Sequence, residues 1–212
     1  MIRQQRDEFG TTLGDVDEIM KTISRVLLAA SVCAVAFDNP ASAFTANTTP
    51  LTRNEKTVEN LGTGIAIALP VIAGGITLWK KDRRGSAQLI TETALTVGTA
   101  YLLKNIVREQ RPDGSDYHSF PSNTTALAAS GSTFLWRRYG WEYGLPAVAM
   151  TEFVAYSRVQ ARQHRWYDTL ASSAIAAGYG FVLIPRFKKR YNLDTSLEAA
   201  PDGAMVRLSY AW

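Results

Sequence analysis

Five apolar stretches, each long enough for a helix, follow one another from Leu61 to Ile184, and no alternating strand pattern interrupts them. They cover about Leu61 to Trp79, Gly85 to Ile106, the segment from Pro121 to near Trp136, Tyr143 to Tyr156, and Tyr167 to Ile184. Segments of this kind bury their apolar faces most simply against one another, so the pattern predicts an all-α bundle of five to six helices. The sixth candidate is an apolar run nearer the N-terminus. With 212 residues, 46% of them hydrophobic and 20% charged, the chain suits one compact domain with a real core and does not resemble a disordered polypeptide. No internal repeat or low-complexity tract divides it.

Residues 20–43 read as an export signal, with Lys21 and Arg25 before an apolar run from Val26 to Phe37 and small residues at Ala41-Ser42-Ala43. An uncleaved membrane anchor is the alternative. Residues 1–19 form a polar extension, either a cytoplasmic tail or a stretch ahead of a natural start at Met20. Residues 44–58 read as a linker, 59–185 as the helical domain, and 186–212 as a tail in which Ala204 to Trp212 alternate as a short strand would. The single cysteine, Cys33, excludes a disulfide framework.

The connections are of two kinds. Lys80, Lys81, Arg83 and Arg84, then Arg137 and Arg138, then Arg186, Lys188, Lys189 and Arg190 make three short basic links that an up-and-down bundle places at one end. The segments Val107–Ser122 and Ser157–Arg165 fall at the other. If the helices cross a bilayer, the basic end is cytoplasmic and the other end faces the periplasm. Against membrane spans stand Gln88, Glu92 and Glu152 within the apolar stretches, the short third segment and a mean hydropathy of −0.09, which leave a soluble periplasmic bundle as the alternative. The net charge of +4 suits an anionic partner, but basic groups at helix ends without stacking aromatics do not make a nucleic-acid groove, so no nucleic acid is expected.

Three blocks at the non-basic end carry chemistry. Lys104 and Arg111, seven apart, share a side if the helix continues to Pro112. Ser119-Phe120-Pro121-Ser122-Asn123-Thr124 opens the third helix, where a hydroxyl and free backbone N–H groups make an anion site. Ser157-Arg158 precedes His164 and Asp168, four apart, so the carboxylate is placed to accept the Nδ1 proton and leave Nε2 as a nucleophile. Singly, these are a solvated helix end, an ordinary cap and surface decoration. Together their order and placement describe one phosphate cradle.

These blocks resemble those of the type 2 phosphatidic acid phosphatase superfamily, which includes bacterial acid phosphatases and vanadium haloperoxidases. The resemblance covers roughly Leu61 to Ile184. The motif Lys-x6-Arg-Pro is matched by Lys104, Arg111 and Pro112, and Ser-Arg-x5-His-x3-Asp by Ser157, Arg158, His164 and Asp168. It implies a helical bundle, often membrane-spanning, that hydrolyses a lipid phosphate, a lipid diphosphate or a small phosphate ester. Lys104, Arg111, Ser122, Asn123 and Arg158 would hold the phosphate, His164 would attack phosphorus, Asp168 would orient it, and neither metal nor cofactor would be required. Preorganised cations of this kind supply much of phosphoryl-transfer catalysis.

One motif departs. Where the family has Pro-Ser-Gly-His, this chain has Pro121-Ser122-Asn123-Thr124. A threonine hydroxyl is too weak an acid to protonate a leaving group, and losing a general acid costs about 10²–10⁴ in rate for a poor one. The departure suggests a preference for diphosphates, slow work on monoesters, or a substitute acid. His118, the only histidine besides His164, is the candidate substitute, against a plain role as a loop residue. The competing readings are a catalytically impaired phosphate- or phospholipid-binding protein of the same fold, and vanadate-dependent halide oxidation.

Overall fold

The structure is a computed structural model describing residues 46–187 with their side chains and the backbone of residues 192–200 and 203–211. The expected export signal over residues 20–43 and the polar extension before it lie outside the described residues. Five helices follow: α1 (Arg53–Trp79), α2 (Arg83–Val107), α3 (Asn123–Tyr139), α4 (Trp141–Gln160) and α5 (Trp166–Leu183). An antiparallel hairpin of β1 (Asn192–Ala200) and β2 (Gly203–Ala211), with Leu197 opposite Val206, adds a small sheet to the expected all-α bundle. The alternating C-terminal segment thus has a partner strand, as an isolated strand would need.

Helix α1 begins eight residues before the apolar run, inside the segment expected to be a linker. Thr52 accepts the amide of Glu55 at 3.3 Å and donates its own to the Glu55 carboxylate at 2.8 Å, a reciprocal cap that starts the helix on polar residues. Hydrophobic periodicity marks only the packed part of a helix, so these first turns gave no apolar signal.

Helix α3 is the hub. It packs against all four other helices, which ring it in the order α1, α2, α5, α4. Its buried residues include a run of small ones, Ala126, Ala128, Ala129, Ser130, Gly131 and Ser132, that lets neighbouring backbones come close. A Cβ on Gly131 would stand 2.8 Å from the backbone nitrogen of Pro70 in α1. At the corner of α1 and α4, a Cβ on Gly62 would strike the hydroxyl of Ser157.

The two ends differ. At one, the buried Arg138 reaches across to Asp82 with two contacts of 2.6 and 2.7 Å and donates to the carbonyl of Pro185, so the three basic connections meet. At the other, Asp113 donates to the carbonyl of Arg162, and the Arg162 guanidinium holds the carbonyl of Thr49 at 2.6 Å. That ties the segment before α1 to the two long loops.

The bundle buries many polar groups beside its apolar core and exposes many large apolar side chains. Thr77, Thr96, Thr99, Ser130, Thr151, Ser172 and the carboxyl of Glu92 are buried. Large apolar side chains stand outside, among them Ile67, Val71 and Leu78 on α1, Ile90, Leu102 and Ile106 on α2, Leu145 on α4 and Phe181 on α5. Glu92 therefore faces the interior, whereas Glu152 lies on the outer face of α4. By length and composition, α1 is the one described helix fit to cross a membrane, with a mean hydropathy of 1.9.

If close backbone approach at the hub matters as described, Gly131→Ala destabilises the fold by about 1–3 kcal/mol, because neither helix backbone can yield to the added methyl. Thermal unfolding in detergent micelles measures this, and an unchanged midpoint contradicts the packing.

Candidate active site

Each predicted site residue sits at a helix end or in a loop of the non-basic end. Lys104 lies in the last turn of α2, buried, with its ammonium on the carbonyl of His118 at 2.5 Å. Arg108 then adopts the left-handed conformation, φ +47°, and closes the helix at Val107. Arg111 therefore does not share a helical side with Lys104, as its spacing suggested. A turn places it instead: its amide donates to the carbonyl of Asp116 at 2.9 Å and its Nε to the Asp116 carboxylate at 2.8 Å.

Arg158 ends α4, 3% exposed, and all its bonds go to uncharged groups. Nε meets the Ser157 hydroxyl at 3.2 Å, one terminal nitrogen the Gln163 side-chain oxygen at 3.2 Å, and the other the carbonyl of Glu59. Gln163 is itself fixed by the carboxylate of Glu59 at 2.6 Å. The charge of Arg111 acts on Lys104, Arg158 and His164 alike, so the cations share one neighbourhood. Of these three cations Arg111 alone has a carboxylate in contact, Asp116, which leaves the cluster with an excess of positive charge.

Ser122 caps α3, its oxygen accepting from the amide of Thr125 at 3.3 Å and from the Thr125 hydroxyl at 3.0 Å. Asn123 and Thr124 follow in the first turn, where backbone amides have no helical carbonyl to meet. The Asn123 side-chain oxygen is buried without a partner among the described residues.

His164 is 4% exposed and its orientation corrects the expectation drawn from the His164/Asp168 spacing. Nδ1 lies 2.7 Å from the backbone carbonyl of Ser119 and 3.6 Å from Asp168 Oδ2. The carbonyl is the direct acceptor because Asp168 Oδ2 already takes the Ser119 hydroxyl at 2.6 Å and the amide of Arg165 at 2.8 Å. Asp168 acts on the imidazole through its charge and through Ser119. A carbonyl can only accept, so Nδ1 carries the proton and Nε2 keeps its lone pair. Burial pushes the imidazole below its ordinary pKa, Lys104 and Arg111 act in the same sense, and Asp168 opposes them. The resting side chain is thus a neutral imidazole held in one orientation.

Ser119 and Gln163 were not assigned these roles from sequence. A serine contributing a carbonyl leaves no residue-type signal, and Gln163 acts through a partner more than a hundred residues away. His118 lies half-exposed in the loop with Nδ1 3.7 Å from Asp116. Among the described residues, no cluster of three or more His, Cys, Asp or Glu side chains is placed to hold a metal ion.

A buried imidazole on which Lys104 and Arg111 act, at one end of a helical bundle, makes a site suited to an oxyanion. The chain belongs to the PAP2 superfamily, whose sequence profile matches residues 85–192. It is 29% identical over 178 residues to the lipid A 4'-phosphatase of Helicobacter pylori, covering 77% of this chain and 89% of that protein. Its fold matches the crystal structure of a transmembrane PAP2-type phosphatidylglycerolphosphate phosphatase from Bacillus subtilis, with a TM-score of 0.56 and 19% identity over 76% of this chain and 94% of that one. The Aquifex aeolicus LpxE structure aligns with a TM-score of 0.45 and 17% identity, covering 65% and 98% of the two chains.

The carbonyl contact and the direction of the pKa shift make a joint prediction. In ¹⁵N NMR of the phosphate-free protein at pH 7, His164 is the neutral Nδ1–H tautomer, and its protonation midpoint lies below the about 6.5 of an ordinary imidazole. An Nε2–H tautomer, or a midpoint at or above that value, contradicts the geometry.

Proposed function

We propose that this protein is a membrane-embedded phosphohydrolase that removes phosphate from a lipid phosphate or diphosphate through a phosphohistidine at His164. The observation that carries the reading is the bond from Nδ1 of His164 to the carbonyl of Ser119, which reserves Nε2 for phosphorus. A phosphate entering the cluster meets Lys104, Arg111 and Arg158, whose charges are compensated by the bound dianion. These fixed cations stabilise the equatorial oxygens in the transition state without reorganising. As the N–P bond forms the imidazole becomes cationic, and the buried carboxylate of Asp168, 3.6 Å away, stabilises that charge. Ser122 and the amides that open α3 supply further donors, with Asn123 beside them.

Membrane residence is supported by the outward-facing aliphatic residues, the inward-facing hydroxyls and the apolar α1. The basic connections at the far end support a cytoplasmic position for that end, and with it a site on the periplasmic face of a bacterial inner membrane. The named activity of the Helicobacter relative makes a phosphorylated glycolipid the first substrate to try. Thr124, standing where the superfamily motif has histidine, favours a second reading, a protein that holds phosphate without turning it over.

Phosphate release from a lipid monophosphate and a lipid diphosphate, measured on the full chain in detergent, distinguishes the two. Wild type is expected to release phosphate and His164→Ala to lose about 10³-fold or more in kcat/KM. Tight vanadate binding without turnover on either lipid supports the second reading.

A further inference from the structure

The oxygen that leaves phosphorus carries away the electron pair of the broken bond. An alkoxide formed in this way departs slowly unless a proton reaches it in the transition state. At the start of α3 the side chains beside the cradle are Asn123 and Thr124, which have no proton acidic enough. Arginines do not release theirs. Tyr167, farther along, directs its hydroxyl to the carboxylate of Glu109. The chain has two histidines, and one of them is the nucleophile.

Resting on the phosphohydrolase reading above, we propose that His118 is the acid–base residue for the leaving group, taking the part that Thr124 cannot. In an in-line displacement the entering nitrogen and the departing oxygen stand on opposite sides of phosphorus. His164 is the floor of the site at 4% exposure, so the departing oxygen lies toward the open side. The His118 side chain is 49% exposed, so it is open to the solvent from which a substrate enters.

Its backbone is built into the cradle. The carbonyl of His118 accepts from Lys104 at 2.5 Å, and its amide donates at 2.8 Å to the Asp116 oxygen that also receives Nε of Arg111. The next residue, Ser119, holds Nδ1 of His164. One loop segment therefore touches two of the cations and the nucleophile. Burial raises Asp116, but the amide of His118 and the guanidinium of Arg111 hold it below the ordinary carboxylate range. It is an ionised partner for Nδ1 of His118, 3.7 Å away, and leaves Nε2 for the substrate. The charged groups that these contacts bring to His118 are Asp116, Arg111 and Lys104.

The step balances as follows. The Nε2 lone pair of His164 forms the N–P bond while the P–O bond breaks, and the electron pair left on oxygen takes the proton of the His118 imidazolium to give an alcohol. Water then attacks phosphorus and gives a proton to the neutral His118, and the N–P electron pair returns to His164 as inorganic phosphate leaves. A leaving group that is already a stable anion, such as an aryl oxide, needs the proton far less.

The full chain in detergent, given dodecyl phosphate and 4-nitrophenyl phosphate, tests this. His118→Ala and His118→Gln are expected to lose about 10²–10⁴-fold in kcat/KM on the alkyl ester, and to lose at least about tenfold less on the aryl ester. Both should remain sensitive to orthovanadate, which reads the cradle itself. Equal losses on the two esters, no loss on the alkyl ester, or lost vanadate inhibition in both variants overturns the assignment. His164→Ala run alongside separates the two levels: turnover of either ester by that variant removes the phosphohistidine mechanism on which this proposal stands.

Discussion

The bond between the Ser119 carbonyl and Nδ1 of His164 joins the two long loops at one end of the bundle, and the site's chemistry follows from it. It selects the tautomer, fixes the ring and excludes water from one nitrogen while sparing the other. The same serine uses its hydroxyl to occupy Asp168, so one residue contacts both the imidazole and the carboxylate beside it. Because that carboxylate is fully buried, its charge reaches the imidazole with little screening.

The bundle exists to bring such loops together. Its hub, α3, starts at the capping hydroxyl of Ser122 in the site and ends at Arg138, which secures the opposite end through Asp82. Small residues along α3 let four helices crowd round it, and the ends of α2 and α4 then deliver Lys104 and Arg158 to the same region. Burying hydroxyls and exposing aliphatic side chains is costly in water and natural in lipid, where helices pair through small and hydroxyl-bearing residues.

The sequence made the helices legible wherever apolar residues recur, and it placed the functional loops at the end away from the basic connections. It did not reveal the polar start of α1, because Thr52 and Glu55 cap a turn that has nothing apolar to bury. Spacing located His164 and Asp168 near each other but suggested the wrong bond, since a four-residue offset reports nearness and not which lone pairs are already taken. The same offset logic failed for Arg111, where a left-handed Arg108 ends α2 early and a turn around Asp116 replaces it. Backbone groups such as the Ser119 carbonyl have no residue-type signature, and only the fold discloses them.

A rapid-quench experiment with a radiolabelled lipid phosphate addresses the nucleophile directly. During turnover the wild-type chain should carry acid-labile, base-stable phosphate on His164, forming and decaying at rates that account for phosphate release, and His164→Ala should carry none. Turnover without label on residue 164, or with label on another side chain, contradicts it.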